Sequence, residues 1–131
     1  MTRDPRTVNA DDAIVEAARI MRDSDIGDAV VMDGGQVNGI VTDRDIVVRG
    51  VAEGRDPGST PVSEVCTTGV ETIDPGASVD DALRLMREHD IRRLPVTKNG
   101  RPVGILSLGD LAVEREPEST LADISAASPD E

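Results

Sequence analysis

Residues 7 to 46 recur at 72 to 111 with a constant offset of 65 and no gap, and this duplication limits what the chain can fold into more than any other feature. Pairing Thr7 with Thr72 sets Ala17 on Ala82, Arg19 on Arg84, Met21 on Met86, Asp25 on Asp90, Ile26 on Ile91, Val31 on Val96, Gly39 on Gly104 and Asp45 on Asp110. A supersecondary unit of about 45 residues is too small to bury its own apolar face. Two copies are therefore expected to pack around a pseudo-two-fold axis as one globular module, with function at the seam.

Within the second copy Val79, Ala82, Leu83 and Met86 fall at i, i+3, i+4 and i+7, the stripe of an amphipathic helix, and Ser78 with Asp81 supplies a capping box at its start. The first copy repeats the stripe with Ile14, Ala17, Ala18 and Met21. Ala13 stands there in place of the capping serine, so Asp11 or Asp12 is expected to cap instead. Each helix is followed by a short strand, Ala29 to Met32 or Leu94 to Thr97, and a tight turn, Asp33-Gly34-Gly35 or Lys98-Asn99-Gly100. A second strand, Val37 to Val41 or Pro102 to Leu106, ends in a small polar residue that opens another helix. The fold class is α+β, with α/β-type repeats in the order β-α-β-β-α, twice.

The chain divides into a first repeat (1–54), a linker with a short helix (55–65), a second repeat (66–116) and a C-terminal short helix with an acidic tail (117–131). The linker is rich in Gly and Pro from Gly54 to Pro61, and Val62 and Val65 lie on one side of the short helix. Leu121 and Ile124 give the tail a similar apolar face, with disorder expected from about Ser125. No short helix precedes the first copy. Either the start lies upstream, or the segment near Leu121 packs in its place.

The formal charge is −12, and the stretch from Glu114 to Glu131 holds six acids and one base, which leaves −7 on the repeats. Nucleic acid is excluded as a partner, because binding it requires clustered bases to neutralise phosphates. The chain also lacks every Phe, Tyr and Trp on which unpaired nucleobases would stack. No stretch approaches the ~20 apolar residues of a membrane span, and the N-terminus has no signal-peptide core, so a cytoplasmic protein is expected. Cys66 and His89, one of each, cannot assemble a structural zinc site, and Cys66 is read as core.

The sequence signal closest to chemistry is a pair of heptads, Gly39-Ile40-Val41-Thr42-Asp43-Arg44-Asp45 and Gly104-Ile105-Leu106-Ser107-Leu108-Gly109-Asp110. A hydroxyl residue at a strand-to-helix junction with an acid three residues on is a capping box, and capping alone accounts for the pattern. The same geometry also presents unpaired N–H groups and a partial positive charge to a ligand. A carboxylate at the third helical position can chelate the vicinal hydroxyls of a ribose. Gly39 and Gly104, without a Cβ, would let that ligand approach the strand.

These heptads, the stretch Met86 to Val96 and the run Thr42 to Val47 resemble the cystathionine-β-synthase-type (CBS) domain, and the chain over roughly residues 2 to 113 is similar to stand-alone bacterial proteins made of a tandem CBS pair. The resemblance implies adenine-nucleotide clefts, with AMP, ADP or ATP as ligand. Asp45 and Asp110 would then hold ribose, and Thr42 and Ser107 would contact ribose or phosphate. Arg92 and Arg93 would meet phosphates, and Arg44 would supply charge across the seam where Gly27 and Asp28 replace the two arginines. It further implies a regulatory energy sensor with no required cofactor and no catalysis, working as a homodimer and read by a downstream protein. The rival reading is a structural module with vestigial pockets that mediates dimerisation. A divalent-cation sensor is a third, which no clustered ligand spacing supports.

Overall fold

A computed structural model of the protein describes residues 1–112 and Leu121. The strands are β1 (Thr2–Arg3), β2 (Thr7–Asn9), β3 (Asp28–Asp33), β4 (Gln36–Thr42), β5 (Thr67–Thr68), β6 (Arg93–Lys98) and β7 (Arg101–Ser107). The helices are α1 (Ile14–Ser24), the one-turn α2 (Asp43–Asp45) that runs on as a π-wound turn over Ile46–Val51, α3 (Val79–His89) and α4 (Leu108–Ala112). Each long strand exceeds its expected span by one polar or turn-flanking residue at either end. The ladder keeps pairing after the apolar run has stopped, as in Asp28 with Thr42 and Arg93 with Ser107.

Two compact units result, and they do not follow the chain order: one joins residues 1–5 to 71–131, and the other comprises 6–70. In the unit formed by residues 6–70 a four-stranded sheet runs β2-β3-β4-β5, with β2 parallel to β3 and the rest antiparallel. In the other unit the order is β1-β7-β6, and an isolated parallel bridge from Ile73 to Val96 completes the likeness. Arg3 pairs with Gly104 where Thr68 pairs with Gly39, so the offset of 65 extends back to residue 1. Sequence alone missed this because only Thr2 and Thr67 are identical there.

Each unit has its own aliphatic core. Val8, Ile14, Ala17, Met21, Ala29, Val31, Val41, Val62, Val65 and Cys66 pack in one; Met1, Ile73, Val79, Ala82, Met86, Leu94, Val96, Leu106, Leu111 and Leu121 pack in the other. The helix stripes thus face inward as their spacing requires, each fully buried Val, Leu or Ile being worth about 1.5–3 kcal/mol. Both hairpins turn on two residues of positive φ, Gly34 and Gly35 or Asn99 and Gly100, the signature of a type I′ turn whose twist suits the flanking strands.

The expected caps hold at α3 and fail at α1. Ser78 accepts the Asp81 N–H at 3.1 Å and Asp81 accepts the Ser78 N–H at 3.2 Å. At α1 neither Asp11 nor Asp12 caps, and Asp12 instead accepts from the Asn9 N–H at 3.1 Å. The linker does the work: the Ile14 and Val15 N–H groups donate to the Thr60 and Pro57 carbonyls at 2.9 and 3.0 Å. A breaker-rich loop therefore satisfies orphan helix donors through its main chain. The segment after it is a single 3-10 turn, Val62–Glu64, whose first N–H donates to the Asp12 carbonyl; Leu121 donates likewise to the equivalent Ala77 carbonyl at 3.1 Å. Ile124 and the tail from Ser125 lie outside the described residues; among the described residues no helix is long and apolar enough to cross a membrane.

Ser78→Ala should cost about 1 kcal/mol in urea unfolding. Ala13→Ser should gain almost nothing, because the donors it would cap are already bonded; a gain equal to the Ser78 loss would refute linker capping.

Candidate functional site

Each unit ends its last long strand in a reciprocal cap. In the first, Asp45 N–H donates to Thr42 Oγ1 at 3.1 Å, and Asp45 Oδ2 accepts the Thr42 N–H at 3.0 Å. In the second, Asp110 N–H donates to Ser107 Oγ at 3.1 Å, and Asp110 Oδ2 accepts the Ser107 N–H at 2.8 Å. The helix start is also fastened to the residue before the partner strand, Asp43 N–H to the Gly27 carbonyl and Leu108 N–H to the Arg92 carbonyl, at 3.0 and 2.8 Å. Both heptads thus fold into one kind of corner, in which a carboxylate is fixed beside a strand end.

The two corners differ in what surrounds the acid. Asp45 and Thr42 are half-buried, whereas Asp110 is 1% exposed and Ser107 is 8% exposed. The Met1 nitrogen stands 3.3 Å from Asp110 Oδ1, and that oxygen accepts no hydrogen bond from the described residues. In the register of the sheets Cys66 is the counterpart of Met1, and it too is buried. Burial first, and the Asp45 charge second, push the Cys66 thiol above its ordinary range. Cys66 is therefore a core residue whose thiol donates to the Ser63 carbonyl at 3.9 Å and feels the charge of the candidate site.

The basic candidates part company. Arg93 pairs with Ser107 across the β6-β7 ladder, next to the Asp110 corner, and Asp28 holds the matching place opposite Thr42. Arg92 is exposed and lines a groove against Leu83, Met86 and Arg87 of α3. Arg44 is exposed beside Asp45, and its main-chain N–H donates to Asp43 Oδ1 at 2.8 Å.

One expectation is overturned. Gly39 does not leave room for a ligand, since a Cβ there would collide with the Thr67 carbonyl of β5. Glycine is required at this position because a neighbouring main chain crosses it, and a ligand approach could not be told from a strand approach in the sequence. His89, in the last turn of α3, has its Nε2 3.7 Å from Glu71 Oε1 and takes no part in either corner. Among the described residues no three His, Cys, Asp or Glu side chains converge as a metal site.

Comparison with known proteins is consistent with this geometry. The family model described as the CBS domain matches residues 1–50 and 62–115. The CBS domain-containing protein YhcV of Bacillus subtilis is 45% identical over 115 residues, 88% of this chain and 81% of that protein. A CBS domain protein from Pyrobaculum aerophilum, solved in complex with AMP, is 30% identical with a TM-score of 0.74, covering 88% of each chain. Hypoxic Response Protein I, solved with two coordinated zinc ions, is 33% identical with a TM-score of 0.74, over 88% of this chain and 95% of that one.

The Cys66 thiol should alkylate far more slowly in the folded protein than after denaturation. A raised pKa means that the folded state holds the proton more tightly than the unfolded one. The stability this group contributes is thus present below the unfolded thiol value, about 8.5, and is lost as pH rises through the folded one. Asp45→Asn should move the alkylation pH profile toward the ordinary thiol; an unmoved profile would show that the carboxylate does not face the sulfur.

Proposed function

The chain belongs to the CBS-domain family, and from that premise we propose that it is an adenine-nucleotide-responsive regulatory module without catalytic activity of its own. The observation that carries this reading is the duplicated corner, in which Asp45 and Asp110 each stand as the third residue of a helix start with one carboxylate oxygen engaged by the cap. A carboxylate has about four acceptor sites on its two oxygens. The cap consumes one, so capping and chelation of a ribose are compatible. An AMP-bound relative of the same fold supports the ligand class.

In this reading Asp45 takes the ribose hydroxyls and Thr42 contacts ribose or phosphate, with Arg44 adding positive charge. Ser107, Asp110 and Arg93 form the counterpart, and Arg92 would reach phosphate only by leaving its groove. The Asp45 corner is the more accessible of the two and is expected to bind first. Binding favours whichever conformation the nucleotide contacts better, and a homodimer passes that shift to a downstream protein.

One observation favours the rival reading of an interaction module with vestigial pockets: Asp110 is 1% exposed, and the oxygen that its cap leaves over is enclosed. Titration separates the two. AMP, ADP or ATP at ~100 times its dissociation constant should stabilise the fold by about 2.7 kcal/mol, a rise in Tm of roughly 10 °C for a chain of this size. Asp45→Asn, which keeps a capping oxygen, should remove most of that rise. Three flat titrations on the wild-type chain would transfer the conclusion to the interaction module.

A further inference from the structure

Matched positions beside the two caps carry opposite charge. Gly27, Asp28, Asp43, Arg44 and Asp45 stand 65 residues before Arg92, Arg93, Leu108, Gly109 and Asp110, so the first set is formally −2 and the second +1. The substituted acids are the residues that adjoin Thr42.

Asp28 is the ladder partner of Thr42. Directly opposed residues of an antiparallel pair send their side chains to the same face, with Cβ atoms about 4.5–5.5 Å apart. Asp43 follows Thr42 in the chain, and its N–H donates to the Gly27 carbonyl at 3.0 Å. A Cβ added at Gly27 would meet the Asp43 carboxyl group before any other atom, at 3.2 Å. The place from which the Arg92 side chain departs in the second unit is thus bordered by a carboxylate in the first. Asp43 Oδ1 also accepts the Arg44 N–H at 2.8 Å, which restrains that carboxylate further. Among the described residues no three acids converge as a metal site, so Asp28 and Asp43 meet a ligand as fixed negative charge and not as part of a cation cage.

We propose that the Asp45 corner is a low-charge site, in which Asp28 and Asp43 are specificity determinants that admit a nucleoside or its monophosphate and reject the di- and triphosphate. The inference rests on the reading that Asp45 holds a ribose, and adds which end of the charge series the corner accepts. A ribose on Asp45 that turns its 5′ side to Thr42 carries its phosphates toward both carboxylates. Each further phosphate adds about one negative charge there, and like charges at such separations in a half-buried setting oppose one another by about tenfold in affinity. At the Asp110 corner Arg93 stands opposite Ser107, and the same added charge would be attracted.

The test is calorimetric titration without divalent cations, on the wild-type chain and on Asp110→Asn, which leaves the first corner to be read by itself. Adenosine and AMP should bind ahead of ADP, and ADP ahead of ATP, by about tenfold for each phosphate beyond the first. Raising salt from about 0.02 to about 0.5 M should narrow the gap between AMP and ATP, because screening weakens repulsion, whereas a phosphate site lined by arginines would lose ATP as salt rises. Asp28→Asn and Asp43→Leu should each raise the affinity for ATP relative to AMP about tenfold, a ratio that a general loss of folded chain does not move. ATP binding as tightly as AMP at low salt, or weakening more than AMP as salt rises, would overturn the charge limit and leave the ribose reading intact. If neither adenosine nor any of the three nucleotides binds the wild-type chain, both fail.

Discussion

Each half of this protein depends on the reciprocal pair of hydrogen bonds between a hydroxyl residue that ends a strand and an aspartate three residues later. Thr42 with Asp45, and Ser107 with Asp110, turn the chain from sheet to helix and pin a carboxylate at the bend. A helix start leaves N–H groups without partners, and the cap satisfies one of them at a gain of about 1 kcal/mol. The same bonds remove the rotational freedom of the acid. An acid held in place in advance loses less entropy on meeting a ligand, which is why a stabilising device and a recognition device can share one set of atoms.

Exchange of leading strands makes the two halves unequal. The strand ahead of the first repeat pairs with β7 of the second, and the strand ahead of the second pairs with β4 of the first. Each corner therefore takes its neighbouring strand from the segment that precedes the other repeat. Asp110 has the nitrogen of Met1 3.3 Å from one of its oxygens, whereas the charge of Asp45 acts on the Cys66 thiol, which donates to the Ser63 carbonyl. A duplicated sequence is placed in two electrostatic settings by nothing more than which residue precedes each strand. The short apolar segments behave similarly: Val62 and Leu121 occupy matching places in the two cores and make matching hydrogen bonds, although they come from a linker and from beyond the second repeat.

The offset of 65, the helix stripes and the hairpin turns were legible in the residues, because hydrophobic period and positive-φ turn chemistry are local properties. So was the capping box at both heptads. The missing cap at Ala13 was legible only as an absence, since the carbonyls that replace it belong to Pro57 and Thr60, more than forty residues away and chosen for main-chain geometry. Gly39 was misread for a related reason: a glycine records that something comes close, and the something here is β5. Arg92 and Arg93 are adjacent in sequence, yet one lines a groove of α3 and the other stands opposite Ser107 in a ladder, a separation that follows from the strand beginning between them.

The central claim is that the carboxylate at the corner grips a sugar while it still caps a helix. Calorimetric titration of the wild-type chain with AMP and with its 2′,3′-dideoxy analogue tests this directly, since the two differ only in the diol. The account predicts that the analogue binds at least about tenfold more weakly, the cost of leaving a charge-assisted pair of hydrogen bonds unmade. Equal affinity for both would contradict it.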